Sequence, residues 1–191
     1  LIVSRGLGDV YKRQDKMKLI KKAPETEKIA RSSNINDGIY VVPAFSGMGA
    51  PYWRPDARGL ITGLTRDSNW QSLVRATVES VAYQSYDLFN AMNKDGLKPR
   101  IVKIDGGMVA NNWFSQFLSD TINLKVIRPK VLETTALGVA LFAGYQVGEF
   151  KSLNQIKNIW QKDKAFSPKI KNSLRNQLLQ GWKLAIKKTL A

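Results

Sequence analysis

The stretch Ile101-Val102-Lys103-Ile104-Asp105-Gly106-Gly107-Met108-Val109-Ala110-Asn111-Asn112 constrains the fold more than any other part of the chain. A short β-branched run that ends at paired glycines reads as a buried strand entering a turn. Beyond the turn, Trp113, Phe114, Phe117, Leu118 and Ile122 recur at helical spacing, so a helix follows at once. A strand that feeds a helix through two glycines lets backbone approach a ligand with no Cβ in the way. The first N–H groups of such a helix have no partner within it and face the turn. Asn111 stands where a helix cap belongs, and its amide both donates and accepts. Two readings stand at this point: an ordinary strand-to-helix connection capped by Asn, and a turn whose amide meets a purine edge. Short glycine motifs alone do not separate them.

What chemistry such a turn can serve is bounded by what the chain lacks. With Cys 0 and His 0, disulfides, thiolate nucleophiles, imidazole bases and Cys/His zinc sites are all excluded. Carboxylates, Lys and Arg, hydroxyls, backbone groups and a hard metal ion remain. No apolar run reaches the length that spans a bilayer. A net charge of +15 raises a nucleic-acid reading. Most of that excess lies late: from Lys151 onward there are ten Lys/Arg against Asp163 alone. No basic stripe interleaved with aromatics accompanies it, and charge on amphipathic helices is the common signature of a solvated face.

In chain order, residues 1–14 (LIVSRGLGDVYKRQ) do not form a signal peptide, because the charges follow the apolar residues and no long apolar region succeeds them. Codons for 4–14 can be chosen to spell a sequencing-library adaptor read in frame. We therefore expect 1–14 to be an adaptor-derived segment and the native domain to run over 15–191, truncated at its N-terminus. Residues 15–38 predict a helix carrying Met17, Leu19 and Ile20, a break at Pro24, a short helix near 25–31 and a turn over 34–38. Strands follow at 39–42 and 59–64, flanking a Gly/Pro/aromatic loop at 43–55 to which we assign no ligand contact. Asp67, Ser68 and Asn69 offer caps for a long helix over 70–93, with Val74, Val78, Val81, Ala82, Ser85 and Phe89 inward. Glu79 and Gln84 lie near that face, the common role of such groups being a hydrogen bond to backbone. After the glycine turn come a strand at 124–127 closed by Arg128-Pro129, caps at Glu133-Thr134-Thr135 and a small-residue helix over 136–144 suited to close packing on a sheet. Strand, helix, strand, helix argues a parallel α/β layer. Residues 151–191 read as surface helices, the last with Leu174, Leu178, Trp182, Leu184 and Ile186 on its apolar side.

From about Asp15 onward the sequence resembles the C-terminal part of glycerol kinases, a branch of the FGGY family of carbohydrate kinases. The matching blocks are 41–53 (VVPAFSGMGAPYW), 56–66 (DARGLITGLTR), 75–84 (RATVESVAYQ), 105–120 (DGGMVANNWFSQFLSD) and 128–140 (RPKVLETTALGVA). The resemblance implies an α/β actin/hexokinase-like (ribonuclease H-like) domain. By residue match it places Gly106, Gly107 and Asn111 against the adenosine half of ATP. It also implies magnesium, glycerol as the small-molecule substrate, a homo-oligomeric full-length form, a cytoplasmic setting, and neither nucleic acid nor membrane as a partner. The family's triphosphate loop, most glycerol contacts and its general-base carboxylate lie in an N-terminal domain with no counterpart here, so no residue is assigned as catalytic. Asp105 belongs to the adenosine turn. A pentulose-specific FGGY kinase shares the glycine turn, but the 41–53 block favours glycerol. Some bacterial relatives bind a sugar-transport regulator through the segment matching 167–176; Leu174 stands where their acidic zinc ligand does, so that regulation is not expected here.

Overall fold

The computed structural model describes residues 19–33 and 37–191; residues 1–14, the predicted helix residues before Leu19 and most of the predicted 34–38 turn lie outside them. Leu19 and Ile20 are not helical, and the first helix, α1, runs Glu25–Ser32 from Pro24. Strands β1 (Tyr40–Val42) and β2 (Leu60–Thr62) pair antiparallel across the Gly/Pro loop. Helix α2 (Trp70–Lys94) starts at Asn69, whose side chain accepts from the Ser72 N–H at 2.9 Å. Then come β3 (Ile101–Lys103), a 3-10 turn at Gly107–Ala110, α3 (Asn112–Ile122) and β4 (Lys125–Pro129). Helices α4 (Thr134–Gln146) and α5 (Leu153–Ile159), strand β5 (Lys162–Phe166) and helix α6 (Asn172–Leu190) complete the chain.

The second sheet has the order β3-β4-β5. β3 and β4 are adjacent and parallel, with Ile101 opposite Lys125, as the two β-branched runs led us to expect. The all-parallel expectation fails at β5, which runs antiparallel to β4 with Phe166 opposite Val126. The sequence pattern predicts surface helices here. The physical reason is that Lys162, Asp163 and Lys164 are all exposed, so β5 carries a single buried residue, Phe166, and almost no hydrophobic period. It is the open edge of β4 that makes this segment a strand.

Most of the core lies between α2, α3 and α6. Val74, Val78, Val81, Ala82 and Ser85 of α2 are buried as the helical spacing requires. Tyr83 is fully enclosed by Tyr40, Phe117 and Trp182, at ring-centroid distances of 5.8, 5.6 and 5.3 Å. Helix α6 is therefore a core helix rather than a surface one. Leu178, Trp182 and Ile186, spaced by one turn, are buried, whereas Leu184 falls off that stripe and stays exposed. The Trp182 indole N–H donates to Asp87 at 2.7 Å, which satisfies the one polar atom that the enclosed ring carries.

Glu79 is buried, and its partner is not backbone but a guanidinium: Arg75 Nε lies 2.6 Å from Glu79 Oε1. Arg75 also donates to the carbonyls of Ala30 and Ser33 and lies 4.8 Å over the Trp113 ring, so one side chain ties α1 and α3 to α2. Burial pushes the Glu79 carboxyl up to about 7 although Arg75 and the Tyr83 hydroxyl pull it down. Burial shifts Asp87 in the same direction. A carboxyl whose folded pKa exceeds its unfolded one binds more protons when folded, so its contribution is present below the unfolded pKa and is lost as pH rises through the folded one. With no histidine in the chain, little else titrates in that window. Urea denaturation should thus show stability falling from pH 5 to pH 8 by up to about 3 kcal/mol, and Glu79→Gln should flatten most of that slope. A slope unchanged in Glu79→Gln would refute the assignment.

Candidate functional site

The glycine turn leaves the C-terminal end of β3 and stays attached to β4 and the segment after it. The Ile104 N–H donates to Ile127 O at 3.0 Å and the Gly106 N–H to Leu132 O at 2.9 Å. Gly106 has φ +86°, a conformation that side chains on L-residues resist, so the glycine requirement falls there. The 3-10 turn then buries Met108 and Val109 in the core and delivers Asn111 to the head of α3.

Asn111 is buried and acts as the cap. Its Oδ1 accepts from the Phe114 N–H at 2.9 Å, and its Nδ2 donates to Thr26 Oγ1 at 3.3 Å. Glu27 accepts from the Asn112 N–H at 3.0 Å. Burial raises the Glu27 carboxyl, but Arg31 and the Asn112 N–H outweigh it and hold its pKa below the ordinary value. The head of α3 is thus not the open donor set anticipated from its sequence. Its leading N–H groups are taken by Asn111 and by α1, because α1 docks there.

The opposite lip of the turn is held by Arg128 of β4, buried, which sequence reading treated only as the end of a strand. Its Nη1 donates to Val109 O at 2.7 Å and Ala110 O at 3.2 Å, its Nη2 to Asn112 Oδ1 at 3.2 Å, and its Nε to Asp163 at 2.8 Å. Nothing local in the sequence marks this role, since the contacts join residues that only the parallel register of β3 and β4 brings together.

The structure thus places Gly106, Gly107 and Asn111 on one turn but facing different ways. Asn111 points inward. Gly107 is exposed, and a Cβ built on either glycine meets nothing within 4 Å. The positive φ belongs to Gly106 and not to Gly107, so a side chain at 107 would project into open space without straining the backbone. An open depression of about 580 Å³ runs along α1, lined by Pro24, Glu27, Lys28, Arg31 and Ser32; Glu27 joins it to the head of α3. Asp105 accepts from the Thr134 hydroxyl, which fastens the start of α4 to the same turn. Glu133, expected among the caps of α4, makes no side-chain cap bond. Among the described residues no group of three or more Asp or Glu is placed to hold a metal ion.

A model of the FGGY family of carbohydrate kinases, C-terminal domain, matches residues 7–147. The chain belongs to this family. Among curated relatives, the glycerol kinase of Alteromonas mediterranea is 46% identical over 173 residues, 91% of this chain and 35% of that protein. The glycerol kinase of Gluconobacter oxydans is 47% identical over 178 residues, 93% of this chain and 35% of that protein. This FGGY chain therefore spans about a third of the length of the curated relatives it matches. Among solved structures, a Plasmodium falciparum glycerol kinase with ADP superposes with a TM-score of 0.85 at 35% identity, over 96% of this chain and 37% of that one. A ligand-bound xylulose kinase from Lactobacillus acidophilus, at 21% identity and TM-score 0.76 over 94% of this chain and 37% of that one, shows the shared fold alone. The actin/hexokinase-like α/β class expected from the sequence holds. Among the described residues no helix is long and apolar enough to cross a membrane.

The geometry makes Arg128 a brace of the turn. Arg128→Ala should take one donor from Val109 O, which keeps the Ser115 hydroxyl, and the guanidinium donor from Ala110 O, and should cost about 1–3 kcal/mol in urea denaturation. Amide exchange should quicken at 107–112. If stability fell with no change in exchange there, the brace would lie elsewhere.

Proposed function

We propose that this chain forms the adenosine-facing side of the cleft of an ATP-dependent kinase that phosphorylates glycerol to glycerol 3-phosphate. The observation that carries this is the bare outer face of Gly106 and Gly107, at the C-terminal end of a parallel strand, in a chain 46–47% identical to glycerol kinases over more than nine-tenths of its length. Ligands of open α/β sheets gather at the carboxyl ends of strands, where helices and turns leave a crevice. The Plasmodium relative's ADP supports a nucleotide as the ligand. Gly107 then offers backbone to the adenosine. Asn111 holds the turn with Oδ1 and one Nδ2 hydrogen, which leaves its second amide hydrogen for the nucleotide.

In the reaction so read, a terminal hydroxyl oxygen of glycerol attacks the γ-phosphorus, the bond from that phosphorus to the β–γ bridging oxygen breaks, and the hydroxyl proton passes to a carboxylate. By the resemblance, that carboxylate, the triphosphate loop and most of the glycerol contacts belong to the part of the relatives that this chain does not match. Magnesium would arrive on the triphosphate. Positioning and charge stabilisation carry most of such a transfer, and closure of the two halves excludes water. The full-length form is read as a cytoplasmic homo-oligomer, and residues 1–14 as adaptor-derived; raw reads with a different codon choice across 4–14 would overturn the latter. A pentulose substrate is the second reading, and the higher identity to glycerol kinases weighs against it.

Purified 1–191 should show no ATP- and glycerol-dependent turnover, since it lacks groups each worth orders of magnitude in rate. The substitutions belong in a fused enzyme, with 15–191 replacing the matching third of the Alteromonas mediterranea relative. There, Asn111→Ala should raise the KM for ATP about 2- to 13-fold, the equivalent of one neutral hydrogen bond worth ~0.5–1.5 kcal/mol, with kcat nearly unchanged. Gly107→Val is the sharper probe, because it should raise the same KM at unchanged thermal stability. A rise in the glycerol KM alone would show that the turn serves the other substrate.

A further inference from the structure

Helix α1 is a weak element in a place where much depends on it. It runs for 8 residues, shorter than a helix that persists by itself, and Pro24 at its start makes no side-chain cap bond. Only the small side chains of Thr26 and Ala30 are buried, with Ile29 half-buried, so α1 has little apolar surface with which to adhere to its neighbours. Yet Thr26 and Glu27 are the groups that hold the Asn111 amide and the Asn112 N–H at the head of α3. The docking of α1 therefore leans on polar contacts, and the one that reaches it from α2 is Arg75.

The Arg75 side chain is buried and faces three ways at once. Its Nη1 donates to Ala30 O at 3.0 Å and to Ser33 O, at the end of α1 where a helix runs out of its own donors. Its flat face lies 4.8 Å over the ring of Trp113 in the first turn of α3, which stacks in turn on Phe117 at 5.1 Å. Its Nε donates to Glu79 Oε1 at 2.6 Å, one turn along α2, and this fixes the plane of the fork. The other oxygen of Glu79 takes the Tyr83 hydroxyl at 3.5 Å. One side chain of α2 thus holds the end of α1 and the head of α3 together. A lysine could not do the same, since an ammonium has neither the fork nor the flat face.

We infer that Arg75 is a positioning residue for the nucleotide: by pinning α1 to α3 it keeps Thr26 and Glu27 on Asn111 and Asn112, and so keeps the bare glycine face in the shape that receives a ligand. The inference rests on the reading of that face as the adenosine side of the cleft. Glu79 is the group that aims the guanidinium and touches no substrate. Without the pin, α1 spends part of its time away from the head of α3, only the docked fraction binds, and the apparent affinity falls by that fraction.

Arg75→Ala alone would strand the buried Glu79 carboxyl, so the test replaces the pair together, Arg75→Met with Glu79→Leu, an exchange for apolar groups that buried ion pairs often tolerate. In chain 1–191, amide hydrogen exchange should quicken at least about tenfold at Asn112 and over 25–33, while the buried stretch of α6 around Trp182 keeps its rate. In the fused enzyme carrying 15–191, the KM for ATP should rise at least about threefold with the KM for glycerol unmoved. A pair that merely stabilises the core would behave otherwise: exchange would quicken alike at Asn112 and in α6, and activity would fall with the amount of folded enzyme while both KM values held. That result would overturn the inference, and so would exchange at Asn112 and 25–33 at the parent rate. Gly107→Val, measured beside it, separates this inference from the reading beneath it. If Gly107→Val raises the KM for ATP and the pair replacement does not, Arg75 is no positioning residue and the adenosine reading stands; if neither raises it, both fall. Should the double variant fail to fold, Arg75→Lys, which keeps a charge for Glu79 but loses the fork, is read in the same way.

Discussion

A turn that leaves a strand and enters a helix within a few residues carries carbonyls outside both backbone ladders; the Ser115 hydroxyl of α3 reaches one of them, Val109 O, and Arg128 reaches that one and its neighbour. Its guanidinium reaches Val109 O, Ala110 O and the Asn112 side chain from the neighbouring strand, with Asp163 balancing its charge. The parallel register makes this reach possible. β3 ends at Lys103 opposite Ile127, so the next residue along β4 is the one that lies beside the departing turn. Buried carbonyls left without donors cost more than a hydrogen bond gains, so Arg128 and Ser115 together hold the turn's shape. The position of β5 follows as well, since Asp163 comes from that strand.

A second constraint acts from the other side. Thr26 and Glu27 of α1 take the Asn111 amide and the Asn112 N–H, and Arg75 anchors the carbonyls at the end of α1. The turn is clamped between α1 and β4, and its glycine face is left bare. For a nucleotide, such a face is preorganised: backbone already fixed need not be ordered on binding. The clamp also explains why a residue with the right chemistry for a purine edge is nine-tenths buried. Asn111 is a structural cap first, and whatever it offers a ligand is what capping leaves over.

Open surface remains around this clamp. The bare turn, the depression along α1, the uncharged α4 and the open edge of β3 cluster about the end of β3.

Local chemistry determined a good deal of this protein. The β-branched runs at 101–104 and 124–127, the i, i+3, i+4 spacing of Val74, Val78 and Val81, the Asn69 and Asn111 caps and the paired glycines each carry their structural meaning within a few residues, and each formed the element its sequence implies, although β3, expected to be buried, carries no buried residue. The family was legible for the same reason, because its blocks are continuous in sequence. Tertiary structure decided whatever depends on a partner distant in the chain. β5 is a strand only because β4 offers an edge, and α6 is a core helix only because Tyr83 and Asp87 receive Trp182. Arg128 is a brace only through the parallel register, and Asn111 faces inward only because α1 supplies Thr26. Periodicity records which side of an element is apolar; it does not record what that side meets, nor which polar group a buried carbonyl will find.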